Sequence, residues 1–215
     1  MKKSIRTLLA SILAITSSGC SFNPFVPFVA MDAKFPQAPI VTPFSDKYWL
    51  LMNDLTFEAT RKSDQKTFSI TVPAGFVTDL ASIPVLLMPI YNNTGNYASA
   101  GILHDYLYWT QFCDRRKSDR LIKEGLKATY TSYLTRNTIK YGVYWLGEFA
   151  WNTNRKNKAA GEERYIPPSM RSFPAGTTWA QYRSTIPSTS NPPWSTPKAG
   201  DDVREGCDIF ASNDD

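Results

Sequence analysis

His104-Asp105-Tyr106-Leu107-Tyr108 places an imidazole beside a carboxylate in an otherwise apolar stretch. Histidine titrates nearer neutral pH than other side chains, so it can take a proton from water as a general base. The stretch reads as a helix over 96–110, with Tyr97, Gly101, His104 and Tyr108 on one face at spacings of 4, 3 and 4. Asp105, the next residue, points about 100° away around that helix and cannot orient the imidazole from the same turn. Asp119 is the candidate for that role. It continues the apolar stripe of Ile122 and Leu126 on a second helix, read over 116–131. The short connection predicts antiparallel helices, which brings the Asp119 carboxylate to the His104 ring. A carboxylate that accepts from one ring nitrogen fixes the tautomer and leaves the other nitrogen to act as base. The plainer alternatives are a histidine satisfied within the core and an Asp119 placed in the first helical turn by the helix dipole.

A second unusual stretch, Gly75 to Pro84, is apolar but punctuated by Thr78, Asp79 and Ser82. Asp79 or Ser82 could cap a short helix starting near Ala81. Alternatively, Asp79 and Asp105 supply carboxylate oxygens to a hard cation such as Ca²⁺, with backbone carbonyls completing the shell.

Composition narrows the chemistry further. The 215 residues contain one histidine, which excludes metal centres built on two imidazoles, including two-His-plus-acid phosphohydrolase sites. Three cysteines, Cys20, Cys113 and Cys207, are too few for a zinc ribbon. Hydrophobic residues at 42% against 20% charged are enough to build a buried core.

The elements that must position these residues form an α+β chain. Leu55, Phe57 and Ala59 alternate with Thr56, Glu58 and Thr60, and Phe68, Ile70 and Val72 alternate with Thr67, Ser69 and Thr71. Two half-buried strands joined as a β-hairpin follow from that period. A third helix over 135–152 carries Ile139, Val143, Leu146 and Ala150 as a packing stripe, with Gly142 and Gly147 as points of possible close approach. The expected architecture is a β-hairpin followed by a three-helix core, flanked by irregular Pro-rich tails. The expected organisation is a signal peptide at 1–19, a Pro-rich linker at 20–45, the core domain at 46–160 and a Pro-rich, acidic tail at 161–215.

The signal reading rests on Lys2, Lys3 and Arg6, then the short apolar run Leu8 to Ile15, then Ser17-Ser18-Gly19. Cys20 after Ser-Gly resembles a bacterial lipobox, in which the cysteine is acylated and becomes the mature N-terminus. An ordinary signal peptide with a nearby cysteine is the alternative. Ser21 after the cysteine implies the outer membrane by the same resemblance, with the protein facing the periplasm or the cell surface. Loss of 1–19 removes three of 24 cations and leaves 21 against 19 acids, or +2. That is too little for nucleic-acid binding. The expected partners are the membrane, through the lipid at Cys20, and an envelope protein, lipid or cell-wall component. In an oxidising compartment Cys113 and Cys207 are a disulfide candidate, with free thiols the alternative.

Taken together, VPAGFVTDLASIP, HDYLY and Arg116-Lys117-Ser118-Asp119 resemble the phage- and prophage-associated family known as domain of unknown function 1353. Its pattern runs GF-x-TD-x-ASIP, HD-x-LY and then R-x-x-x-D or R-x-x-D, here over about 48–150. The name of that family carries no activity. HD-x-x-Y followed by a helix-borne aspartate is also similar to the core of secreted phospholipase A2. That resemblance implies His104 as the base, Asp119 as the orienting acid, Tyr108 as its support and Asp105 as the calcium ligand. Leu103 stands where that enzyme has a half-cystine, and no Cys-Gly-x-Gly calcium loop is present. Two functions follow as expectations: a lipid-anchored, metal-assisted hydrolase of an ester or amide in the envelope, or a non-catalytic envelope-binding lipoprotein, for instance one that blocks superinfection. The 13% aromatic content suits the second.

Overall fold

The computed structural model describes residues 30–80, 97–187, 196–197, 200–201 and 203–208. The signal segment, Cys20, Ser82 and the short helix expected near Ala81 lie outside them. The expected hairpin is present. Strand β4 (Leu55–Arg61) pairs antiparallel with β5 (Thr67–Val72), with Leu55 opposite Val72 and Phe57 opposite Ile70. The apolar set on both strands is buried, as a period of two requires when one face covers a core. On the other face Thr56 and Thr71 share a hydroxyl hydrogen bond at 3.1 Å, as do Thr60 and Thr67 at 2.9 Å.

The β structure is larger than a hairpin. Strand β1 (Met31–Lys34) adds antiparallel to β4, giving the sheet order β1-β4-β5. Strands β2 (Val41–Pro43), β3 (Trp49–Leu51) and β6 (Val77–Thr78) form a second antiparallel sheet in that order. Two of these strands fall in the stretch read from sequence as an extended linker. Three or four residues are too few to establish a period, and a strand can recruit proline at its edge, as Pro43 does here. The α+β class stands, while the ordered part extends on both sides of 46–160.

Helix α1 (Ala98–Thr110) is buried from Ser99 to its end, so it is the central element rather than a surface one. Gln111 ends it in the left-handed conformation at φ 58°. Helix α2 (Arg115–Ala128) starts one residue beyond Asp114, whose side chain accepts from the Lys117 backbone N–H at 2.9 Å. Asp119 sits opposite His104 and Tyr108, and Gly125 sits against Ala100, so α1 and α2 are antiparallel as expected.

Helix α3 (Tyr133–Ala159) is longer than the segment read from sequence. Its packing face keeps Ile139, Val143 and Ala150 of the expected stripe and loses Leu146. Ile139 is buried and Val143 half-buried, but Leu146 is 53% exposed. The buried positions continue instead through Gly147 and Asn154, close to the helical period over 27 residues. At the far end Lys158 Nζ donates to the Trp109 and Thr110 carbonyls, both at 3.0 Å, and so satisfies the open C-terminus of α1.

The chain beyond α3 is not a detached tail. Ile166 donates its N–H to the Gly75 carbonyl at 2.8 Å, and Val77 donates to the Arg164 carbonyl at 2.9 Å. Gly75 has φ 102°, and a Cβ there would lie 2.5 Å from the Ile166 carbonyl oxygen, so both the turn and the contact require glycine. The one-turn helix α4 (Trp179–Tyr182) inserts Trp179 into a cluster with Phe44, Leu50, Val77 and Ile166. The last helix, α5 (Val203–Asp208), is tied back by a Cys113–Cys207 disulfide with Cα atoms 5.5 Å apart. Just before it, the Asp201 carboxylate accepts from the Thr71 N–H at 2.7 Å and the Thr71 hydroxyl at 2.9 Å.

Candidate functional site

His104 and Tyr108 lie one turn apart on α1 and so present their side chains to the same groove. Asp119 reaches them from α2. His104 Nε2 lies 3.2 Å from Asp119 Oδ1, and the Tyr108 hydroxyl donates to that same oxygen at 2.5 Å. The other carboxylate oxygen accepts from Arg115 Nη1 at 2.9 Å, across one turn of α2. Asp119 is the fifth residue of α2, past the first turn, so the helix-dipole explanation does not account for its position.

The three partners leave Asp119 little freedom. An ionised carboxylate only accepts hydrogen bonds, so with Asp119 charged the proton sits on His104 Nε2 and Nδ1 keeps its lone pair. Arg115 balances the carboxylate charge. Burial raises the Tyr108 hydroxyl well above the ordinary phenol range, and the Asp119 charge raises it further, so Tyr108 acts as a donor throughout. The rings of His104 and Tyr108 lie 4.0 Å apart between centroids, and Trp151 of α3 meets Tyr108 edge-on at 5.1 Å. Gly147 of α3 completes the wall: a Cβ there would come within 2.4 Å of the Tyr108 hydroxyl. Of the two glycines flagged in the sequence, Gly147 is the one the structure places in close approach.

Asp105, the next residue along α1, turns its side chain to β6. Its Oδ2 accepts from the Thr78 hydroxyl at 2.5 Å and from the Asp79 backbone N–H at 3.2 Å. The two candidate cation ligands are thus brought together, and both are buried. Burial holds the Asp105 carboxyl well above the usual carboxylate range, and the negative charge of Asp79 adds to that. Lys47 Nζ approaches Asp79 Oδ2 at 3.8 Å. Arg164 opposes the rise at Asp105 and stacks over Trp109 at 5.3 Å. Two adjacent carboxyls in a dry setting favour either a shared proton or a cation, and their all-oxygen chemistry suits a hard ion. Among the described residues no group of three or more His, Cys, Asp or Glu side chains converges on one point, so a cation would need backbone or water oxygens as well.

Sequence reasoning missed Arg115 and Arg164. The signal for Arg115 was the i, i+4 spacing from Asp119 on one helix. Arg164 had no local signal, because the 164–166 segment reaches the site only by pairing with Gly75–Val77.

A family model described as a protein of unknown function (DUF1353) matches residues 49–143. The match spans from β3 into α3 and includes Asp79, His104, Asp105, Tyr108, Arg115 and Asp119. No curated protein and no solved structure matches the chain.

Proposed function

We propose that this chain, a member of the DUF1353 family over residues 49–143, is an exported, lipid-anchored hydrolase of an ester or amide in the cell envelope. The observation that carries the reading is the Asp119 carboxylate held between Tyr108, Arg115 and His104 Nε2. Such an arrangement is needed where an imidazole must keep one tautomer through a proton transfer. In this reading His104 Nδ1 takes the proton of a water molecule as its oxygen attacks the acyl carbonyl. Nδ1 then returns that proton to the leaving oxygen or nitrogen. Asp119 stabilises the imidazolium formed between the two steps, and Tyr108 and Arg115 hold Asp119 in place. A hard cation held by Asp79 and Asp105 would supply positive charge for the developing oxyanion. The lipid anchor at Cys20 places the protein against its substrate, a phospholipid or a cell-wall component.

The test uses purified mature protein on phospholipid mixed micelles and on cell-wall fragments, each with and without Ca²⁺. His104→Gln is expected to lower the rate by about 10²–10⁴-fold. Asp119→Asn should reproduce much of that loss, because an amide can hydrogen-bond the ring yet hold the wrong tautomer. Hydrolysis of neither substrate under either condition would leave the second reading, a non-catalytic envelope-binding lipoprotein, which the exposed aromatic residues of α3 favour. Anchoring is tested separately by fractionation: Cys20→Ser should release the protein from the membrane fraction, and a wild-type protein already soluble after osmotic shock refutes the lipid.

A further inference from the structure

Among the described residues, ten large hydrophobic side chains are exposed, and eight of them lie between Tyr130 and Phe149. Scattered exposed apolar residues need no explanation, but a concentration of this kind on one element does. Leu134, Tyr141, Trp145 and Phe149 follow one another at spacings of 7, 4 and 4 and so share a face of α3, with Tyr133 and Tyr144 along its flank. Trp145 is 75% exposed and Phe149 79%. Gly147, which meets Tyr108, lies well around the helix from this row, so the face is not a wall of the His104 site.

We infer that this face of α3 is an attachment surface for an anionic phospholipid bilayer. Three observations select that occupant. First, the exposed side chains are mostly Tyr and Trp, whose apolar bodies and polar tips suit the headgroup boundary better than a dry protein core. Second, cations outnumber acids around this face: Lys156 lies on it and Arg155 and Lys140 stand to its side, against Glu148, while Arg136 belongs to the packing side. Lys140 already lies over the Tyr141 ring at 5.6 Å, the arrangement of a cation at the edge of an aromatic belt. Third, only nine residues, 21–29, separate Cys20 from the described domain. Fully extended, the chain from Cys20 to Ala30 spans about 35 Å, roughly the length of α3 itself at about 1.5 Å per residue. The proposal takes this third argument from the lipid-anchor reading of Cys20. A domain held that close meets the bilayer at high effective concentration, so a weak surface suffices to set its orientation.

The experiment separates the surface from the anchor by using the chain from residue 20 onward with Cys20→Ser, oxidised so that the disulfide is intact. It is floated with vesicles of phosphatidylglycerol and phosphatidylethanolamine, and with phosphatidylcholine vesicles as the neutral comparison. The protein should float with the anionic vesicles, and 0.5 M salt should reduce this. Trp145→Ser combined with Phe149→Ser should lower the partition coefficient at least about tenfold, as expected when two large apolar side chains leave the interface. Both positions are exposed, so their folding is checked by an unchanged thermal midpoint. No flotation of the Cys20→Ser chain overturns the proposal, as does flotation undiminished by the double substitution. A stable dimer that the double substitution dissociates would assign the face to a second copy of the chain and also overturns it. Failure of the lipid anchor shows instead in the wild-type fractionation and leaves these readings unchanged.

Discussion

Gly147→Ala is the substitution that interrogates the site most directly without touching it. The change adds one methyl group in a helix interior, where alanine is favoured over glycine by about 1 kcal/mol. In this position the new Cβ would lie 2.4 Å from the Tyr108 hydroxyl, so the hydroxyl must move. Its hydrogen bond to Asp119 would then be lost or bent. A hydrogen bond to a charged acceptor contributes about 1.5–3 kcal/mol. The net effect expected is a loss of about 0.5–2 kcal/mol. In a Tyr108→Phe background the colliding oxygen is absent, and the next neighbours of the Cβ stand at 3.4 and 3.5 Å. There Gly147→Ala should be neutral or stabilising by up to about 1 kcal/mol. Denaturant unfolding of the four proteins, disulfide intact, gives the coupling energy, expected at about 0.5–3 kcal/mol. Additivity within about 0.5 kcal/mol would refute the contact and with it the α3 wall of the site.

Two further outcomes follow. Asp105 has a folded-state pKa above the ordinary value, so the stability from its neutral form is complete below about pH 4 and is lost as pH rises through the raised value. With a chelator present, Asp105→Asn should therefore gain on wild type progressively as pH rises above about 4 in chemical denaturation, and a pH-independent difference would contradict this. The Cys113–Cys207 bridge closes a loop with a sequence separation of 94, so Cys207→Ser should lower stability by about 4–5 kcal/mol on the chain-entropy model. A change under about 1 kcal/mol would mean that the unfolded chain is already constrained there.

The parts of the fold that could be read from sequence are those where a period runs for many residues. The β4–β5 hairpin stands where its pattern puts it, α1 ends at 110 as read, and α2 starts one residue before the position read. The pairing of His104 with Asp119 followed from two faces and a short turn, and needed no knowledge of the rest of the molecule. The remainder depends on contacts distant in sequence. Strands β1 and β2 are too short to carry a pattern and exist because β4 and β3 offer them open edges. The C-terminal end of α3 is polar in sequence, and it continues because Lys158 finds the carbonyls of α1. The stripe through Leu146 failed because a spacing of 4, 3, 4 and one of 4, 4 diverge by one position, which here separates a buried glycine from an exposed leucine.

The Asp201 clasp has a consequence for assembly of the chain. In the β1-β4-β5 sheet, β5 is an edge strand, and an edge with open N–H groups is a template onto which another chain can add a strand. Asp201 fills one such position by accepting from the Thr71 N–H, and α5 lies against the same strand, held there by Cys207. These residues are made after every strand and helix they protect. Until they arrive, β5 presents a complete and unguarded edge. A chain cut short before residue 201, or one kept reduced, would retain its His104 site yet be prone to associate through β5.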